Sequence, residues 1–185
     1  MNWLVRTALG LAALLSVVLV AADLSGKATV GAVSPAGYTV ISKQAGIDTC
    51  AAPTSSAMAN WWAFSPYYDV GIYIGGVNRG CNQPNLTSSW VSTVHEQGWG
   101  FVPTWVGPQA PCWPYAGTKL SYDQNTAALQ GINEANQAAN AGASLGFTTG
   151  TIIYYDMEAY DTNNTPCRRA VDVFIRGWNY RLHQL

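Results

Sequence analysis

Four times along this chain a short apolar run gives way to a polar or Gly/Pro-bearing loop, and then to a segment with helical spacing. The first unit is Gly46-Ile47-Asp48-Thr49, with a helix from about Ser55 to Phe64. The second strand is Val70 to Ile74, ending in Gly75-Gly76; its helix starts at the N-capping pair Thr87-Ser88 and stops at Gly98. The third is Phe101 to Val106, with a long loop carrying Pro108, Pro111 and Pro114 before a helix that places Ala128, Ile132, Ala135 and Ala139 on one face and ends at Gly146. The fourth is Thr151 to Met157, and Thr165-Pro166 opens a helix with Val171, Phe174, Trp178 and Leu182 along one side. Alternating strands and helices require parallel strands joined by right-handed crossovers, so the fold class is α/β. Pro103 cannot donate to a ladder, and the expectation is a bulge or irregularity there.

The end of the fourth strand, "YYDMEAY" from Tyr154 to Tyr160, holds two of only ten acidic residues in the chain. Residues two apart in a strand share a face, so Tyr154, Asp156 and Glu158 point one way and Tyr155 and Met157 the other. Carboxylates are costly to bury unless they are hydrogen-bonded or have chemical work to do. Asp48 stands at the matching end of the first strand, again just before a loop containing proline. Three acids at equivalent strand ends point to acid–base chemistry at one rim, with Asp156 expected to be ionised and to raise the pKa of Glu158.

Composition narrows the partners. Charged residues make up 10% of the chain and the net charge is −1, which speaks against nucleic acid or an anionic membrane surface. Eight Trp and ten Tyr supply flat rings that can stack on sugars, although most of them are expected in the core.

Residues 1–22 have the form of an export signal: Arg6 is followed by the apolar run Ala8 to Ala22, ending in Val20-Ala21-Ala22. That run is short for a membrane span, so the mature chain is expected to begin near Asp23 with no stable span. Residues 23–44 form a linker and residues 45–185 the folded domain. Export makes two disulfides the expectation for Cys50, Cys81, Cys112 and Cys167, whose spacing fits no zinc site; no metal or cofactor is called for. Three connectivities are open. Cys81 with Cys112 is the expected pair, because both follow the ends of consecutive strands, which leaves Cys50 and Cys167 to pair at longer reach.

Five blocks occur in order: "GIDTCAAP" (Gly46 to Pro53), "VGIYIGG" (Val70 to Gly76), "QPNLTSSWV" (Gln83 to Val91), "GFVPTWVGPQA" (Gly100 to Ala110) and "IIYYDMEAY" (Ile152 to Tyr160). Together they resemble the bacterial secreted glycoside hydrolase-like family, formerly a domain of unknown function, which is related in fold to the Chalaropsis-type barrel lysozymes. The resemblance implies a (β/α)8 TIM-type barrel with its site at the C-terminal rim of the strands. It also implies that Glu158 is the general acid, Asp156 the neighbouring stabilising carboxylate and Asp48 the acid of strand one. The lysozymes carry a further Asp from strand six. This sequence shows only four strand–helix units over about 140 residues, against the 200 or more of a whole barrel, and so reads as the first half of one.

The expected activity is therefore acid-assisted hydrolysis of a polysaccharide or peptidoglycan glycan by a secreted or cell-wall-associated protein. Candidate sugar contacts are Tyr73, Trp105, Gln109, Trp113, Tyr154 and Tyr160, with Tyr115 on the same rim. The alternatives are a non-catalytic module that binds wall carbohydrate, and an inactive half-barrel.

Overall fold

The computed structural model describes residues 42–185, so the leader expected over 1–22 and most of the linker expected over 23–44 lie outside the described residues. The elements alternate as expected: β1 (Ala45–Asp48), α1 (Ser55–Phe64), β2 (Tyr67–Gly75), α2 (Ser88–Glu96), β3 (Gly100–Trp105), α3 (Gln124–Ser144), β4 (Tyr154–Tyr155) and α4 (Thr165–Leu182). The strands form one parallel sheet in the order β1-β2-β3-β4, a half-barrel backed by the helices.

Each helix starts on a side-chain cap. Thr54, Thr87, Asp123 and Asn164 accept hydrogen bonds from the backbone N–H groups of Ala57, Trp90, Thr126 and Cys167. The cap of α4 is thus Asn164, one residue before the expected Thr165, with Pro166 in the first turn where its missing N–H costs nothing.

β2 shows how the sheet divides its two faces. Val70, Ile72 and Ile74 are buried against the helices, while Asp69, Gly71 and Tyr73 alternate with them on the opposite, half-buried face. Parallel register carries that face across the sheet: Asp48 lies beside Gly71, Tyr73 beside Thr104, and Thr104 beside Tyr154.

The helix-side core holds Met58, Trp90, Val91, Trp99, Ile72 and Trp178. A second cluster under the rim gathers Trp113, Leu120, Cys167 and Phe174. Tyr155 packs edge-on against both Phe174 and Trp178, and so joins the two clusters. Burying aromatic area of this kind is worth roughly 1.5–3 kcal/mol per side chain.

Three expectations need correcting. β4 is two residues long rather than running from Thr151 to Met157. Trp105 makes the last backbone rung to Asp156, and the previous position on that edge is Pro103, which has no N–H to offer. Pro103 itself produces no bulge: it pairs in register with Ile72, and the β2–β3 irregularity falls between Tyr73 and Gly75. In α3 the buried stripe is Ala127, Gly131, Ala135, Ala138 and Gly142; of the expected face Ala128, Ile132, Ala135 and Ala139, only Ala135 lies in it. The difference follows from the close crossing with α4. A Cβ at Gly131 would stand 2.2 Å from the Phe174 carbonyl oxygen, and one at Gly177 2.4 Å from that of Ala128.

Candidate functional site

The three sequence-picked acids stand at or just beyond the C-terminal ends of β1 and β4, and β2 brings Tyr73 beside Asp48. Asp48 ends β1, and its Oδ2 accepts a 2.7 Å hydrogen bond from the Tyr73 hydroxyl on β2. Gly71 makes room for this arrangement, since a Cβ there would come within 2.9 Å of Asp48 Oδ1. The bond to Asp48 and burial push the Tyr73 phenol up to about 12.

Asp156 and Glu158 follow β4 directly. Burial raises the Asp156 carboxyl above its usual range, helped by the charges of Glu158 and then Asp48. The raised carboxyl is thus that of Asp156, the acid expected to be the charged partner of the pair. Glu158 is exposed, and its Oε2 accepts from the Trp113 indole at 3.1 Å.

The long loop after β3 supplies the rest of the rim. Its base is pinned by Asn78, whose side chain donates to the carbonyls of Gly107 (2.9 Å) and Thr118 (2.8 Å) and accepts from the Thr118 N–H (2.9 Å). Within the loop, Trp113 meets Tyr115 edge-on at 5.5 Å between ring centres, and Tyr115 is 65% exposed. A cleft of about 630 Å³ opens beside Glu158, walled by Tyr115, Pro114, Cys112, Tyr160 and Asp161.

The candidate sugar contacts divide into two groups. Tyr73, Tyr154 and Tyr160 lie at the rim, with Tyr154 half exposed to solvent. Trp105, Gln109 and Trp113 are buried. The Trp105 indole donates to Glu134 Oε2 at 2.6 Å, and the Gln109 amide is held by the backbone of Asp156 and Glu158.

Glu134 was not singled out in the sequence. It sits on α3 behind the sheet, half-buried, and burial lifts its carboxyl above the usual range. Its one sequence signal is its position in the buried stripe between Gly131 and Ala138, where an acid needs a partner.

The disulfides differ from the expected pairing. Cys50 bonds Cys81 and Cys112 bonds Cys167. The loop after β2 leans back on the loop after β1: Gln83 donates to the Cys50 carbonyl and Asn85 to that of Ala52. The loop after β3 leans the other way, toward the first turn of α4, and this carries Cys112 away from Cys81. Asn85 braces the loop and Thr87 caps α2, as expected of the Thr87-Ser88 pair.

Among the described residues no helix is long and apolar enough to cross a membrane. No curated protein and no solved structure matches the chain. A family model does match, over residues 60–185, from inside α1 to the end of α4 and so across Asp156 and Glu158 but not Asp48. On that match over well more than half its length, the chain belongs to the Rv2525c-like, glycoside hydrolase-like domain family.

Proposed function

We propose that this protein is an exported glycosidase of bacterial cell-wall or related polysaccharide, and that Glu158 is the acid that protonates the departing glycosidic oxygen. The observation that carries the reading is the position of Glu158. It stands between the face bearing Asp48, Tyr73 and Asp156 on one side and the aromatic-walled cleft on the other.

Glycoside hydrolysis needs one carboxyl that gives a proton and further negative charge facing the oxocarbenium-like carbon. With Oε2 of Glu158 accepting from the Trp113 indole, the proton of the neutral acid sits on Oε1. The sugar whose anomeric carbon gains positive charge would lie over Asp48 and Asp156, and the leaving sugar would lie in the cleft against Tyr115 and Tyr160. Trp105 and Glu134 support the rim from behind. The four-strand parallel half-barrel is consistent with part of a (β/α)8 barrel, a fold whose sites lie at this end of the strands. The two disulfides agree with an oxidising, extracytoplasmic location.

The exposure of Asp48 and Glu158 favours one competing reading, a module that binds glycan without cleaving it. Release of reducing ends from peptidoglycan glycan strands and from other β- and α-linked polysaccharides, measured alongside binding, separates the two. Turnover on any of them supports the glycosidase. Binding without turnover on all of them overturns it in favour of the module.

A further inference from the structure

We propose that Gln109 is a positioning residue whose buried side-chain amide forms an extra rung between β3 and β4, fixing the main chain that carries Asp156 and Glu158. Its role in catalysis rests on the glycosidase reading above; the rung itself does not.

Gln109 is fully buried, with no exposed surface, and both ends of its amide are bonded to protein. Nε2 donates to the Asp156 carbonyl at 2.9 Å and to the Gly107 carbonyl at 3.2 Å, and Oε1 accepts from the Glu158 N–H at 2.8 Å. In a parallel ladder, one residue donates its N–H to the carbonyl before its partner residue on the neighbouring strand and accepts at its own carbonyl from the N–H after that partner. The Gln109 amide makes that pair of bonds on either side of Met157. Backbone pairing has already stopped there: the last β3–β4 backbone bond runs from the Asp156 N–H to the Trp105 carbonyl. The side chain therefore continues β3 by one step after the chain itself has turned away at Gly107.

The rung is anchored at its own end. The Gln109 N–H donates to the Thr118 carbonyl and its carbonyl accepts from the Leu120 N–H, while Asn78 clamps Gly107 and Thr118. The same loop carries Trp113, the donor to Glu158 Oε2. One loop thus holds Glu158 at both its main chain and its carboxylate. An amide suits the task because it offers a donor and an acceptor side by side. A carboxylic acid does so only while protonated, and a carboxylate sets an anionic oxygen against the Asp156 carbonyl.

The test uses the full chain, ¹⁵N-labelled, as Gln109→Leu and Gln109→Glu. In Gln109→Leu, the Glu158 amide should lose protection from hydrogen exchange by on the order of tenfold or more, because its acceptor is gone. The amides of Val70 and Ile72 in β2 should keep theirs. Gln109→Glu should protect the Glu158 amide near pH 4 to 5, where a carboxylic acid that must bury is still protonated, and lose that protection by about pH 8. Turnover of glycan strands should follow the same pattern, with kcat falling and glycan affinity unchanged. Unaltered Glu158 protection in both variants would overturn the rung, and so would an equal loss at every amide. If Gln109→Leu does not fold, the pH dependence of Gln109→Glu decides. If the parent protein shows no turnover, the glycosidase reading fails, and amide exchange alone still decides whether the rung exists.

Discussion

The indole Nε1 of Trp113 donates to Oε2 of Glu158 across 3.1 Å, and this bond ties the acid at the mouth of the cleft to the loop after β3. Trp113→Phe keeps an aromatic ring against Tyr115 but removes the donor. On the proposed reaction it should lower kcat by several-fold up to about tenfold, the usual scale for losing one neutral hydrogen bond of about 1 kcal/mol. A double-mutant cycle with Glu158→Gln should show the two losses to be non-additive. Additive losses would mean that the bond does not orient the acid.

Asp156 has its pKa raised, chiefly by burial and then by Glu158 and Asp48, so the folded state holds its proton more tightly than the unfolded chain does. Ionising it costs the fold stability. That cost is absent below the ordinary carboxylate pKa of about 3.9, grows as pH rises through that value, and is complete above the raised pKa. Asp156→Asn should therefore match the parent in Tm at about pH 3 and exceed it at neutral pH. A variant less stable at neutral pH than in acid, relative to the parent, would contradict the sign.

The two disulfides close loops of different span, with sequence separations of 31 for Cys50–Cys81 and 55 for Cys112–Cys167. Replacing Cys112 and Cys167 together by Ser should cost about 3–4 kcal/mol in unfolding free energy. Because Cys112 also walls the cleft, that variant should lose glycan affinity as well, whereas the Cys50/Cys81 pair of replacements should leave affinity alone. Peptide mapping without reduction checks the pairing directly. A fragment joining Cys81 to Cys112 would refute it.

α3 and α4 cross at Gly131 and Gly177, where added methyl groups would strike the backbone of the partner helix. Gly131→Ala and Gly177→Ala should each destabilise the protein by roughly 1–3 kcal/mol through overpacking, despite the better helix propensity of alanine. Chemical denaturation measures the effect. Stabilisation by either change would mean that the helices pack less closely than described.

The alternation of four strands with four helices was legible because apolar runs, caps and glycine stops all agreed, as at Thr87 and Gly98. So was the nearness of Asp48 and Glu158 to Asp156, although Asp156 and Glu158 lie just beyond β4 rather than within it. The pairing of the cysteines was not, because it depends on which way each loop leans. Those directions are set by side-chain bonds such as Gln83 to the Cys50 carbonyl, which no local pattern announces. Nor were the inward turns of Trp105 and Gln109, whose blocks place them at the rim but whose polar atoms find partners on α3 and β4. The packing face of α3 was misjudged by one position because glycines, silent in an apolar pattern, form its contact stripe.

The central claim is that Glu158 is the proton donor, and Glu158→Gln removes the proton with almost no change of shape. Rates of glycan cleavage by the parent and by Glu158→Gln, measured on the same substrate with binding followed in parallel, test it most directly. The account predicts a loss of about 10² or more in rate with binding retained. Cleavage by Glu158→Gln at the rate of the parent would contradict it.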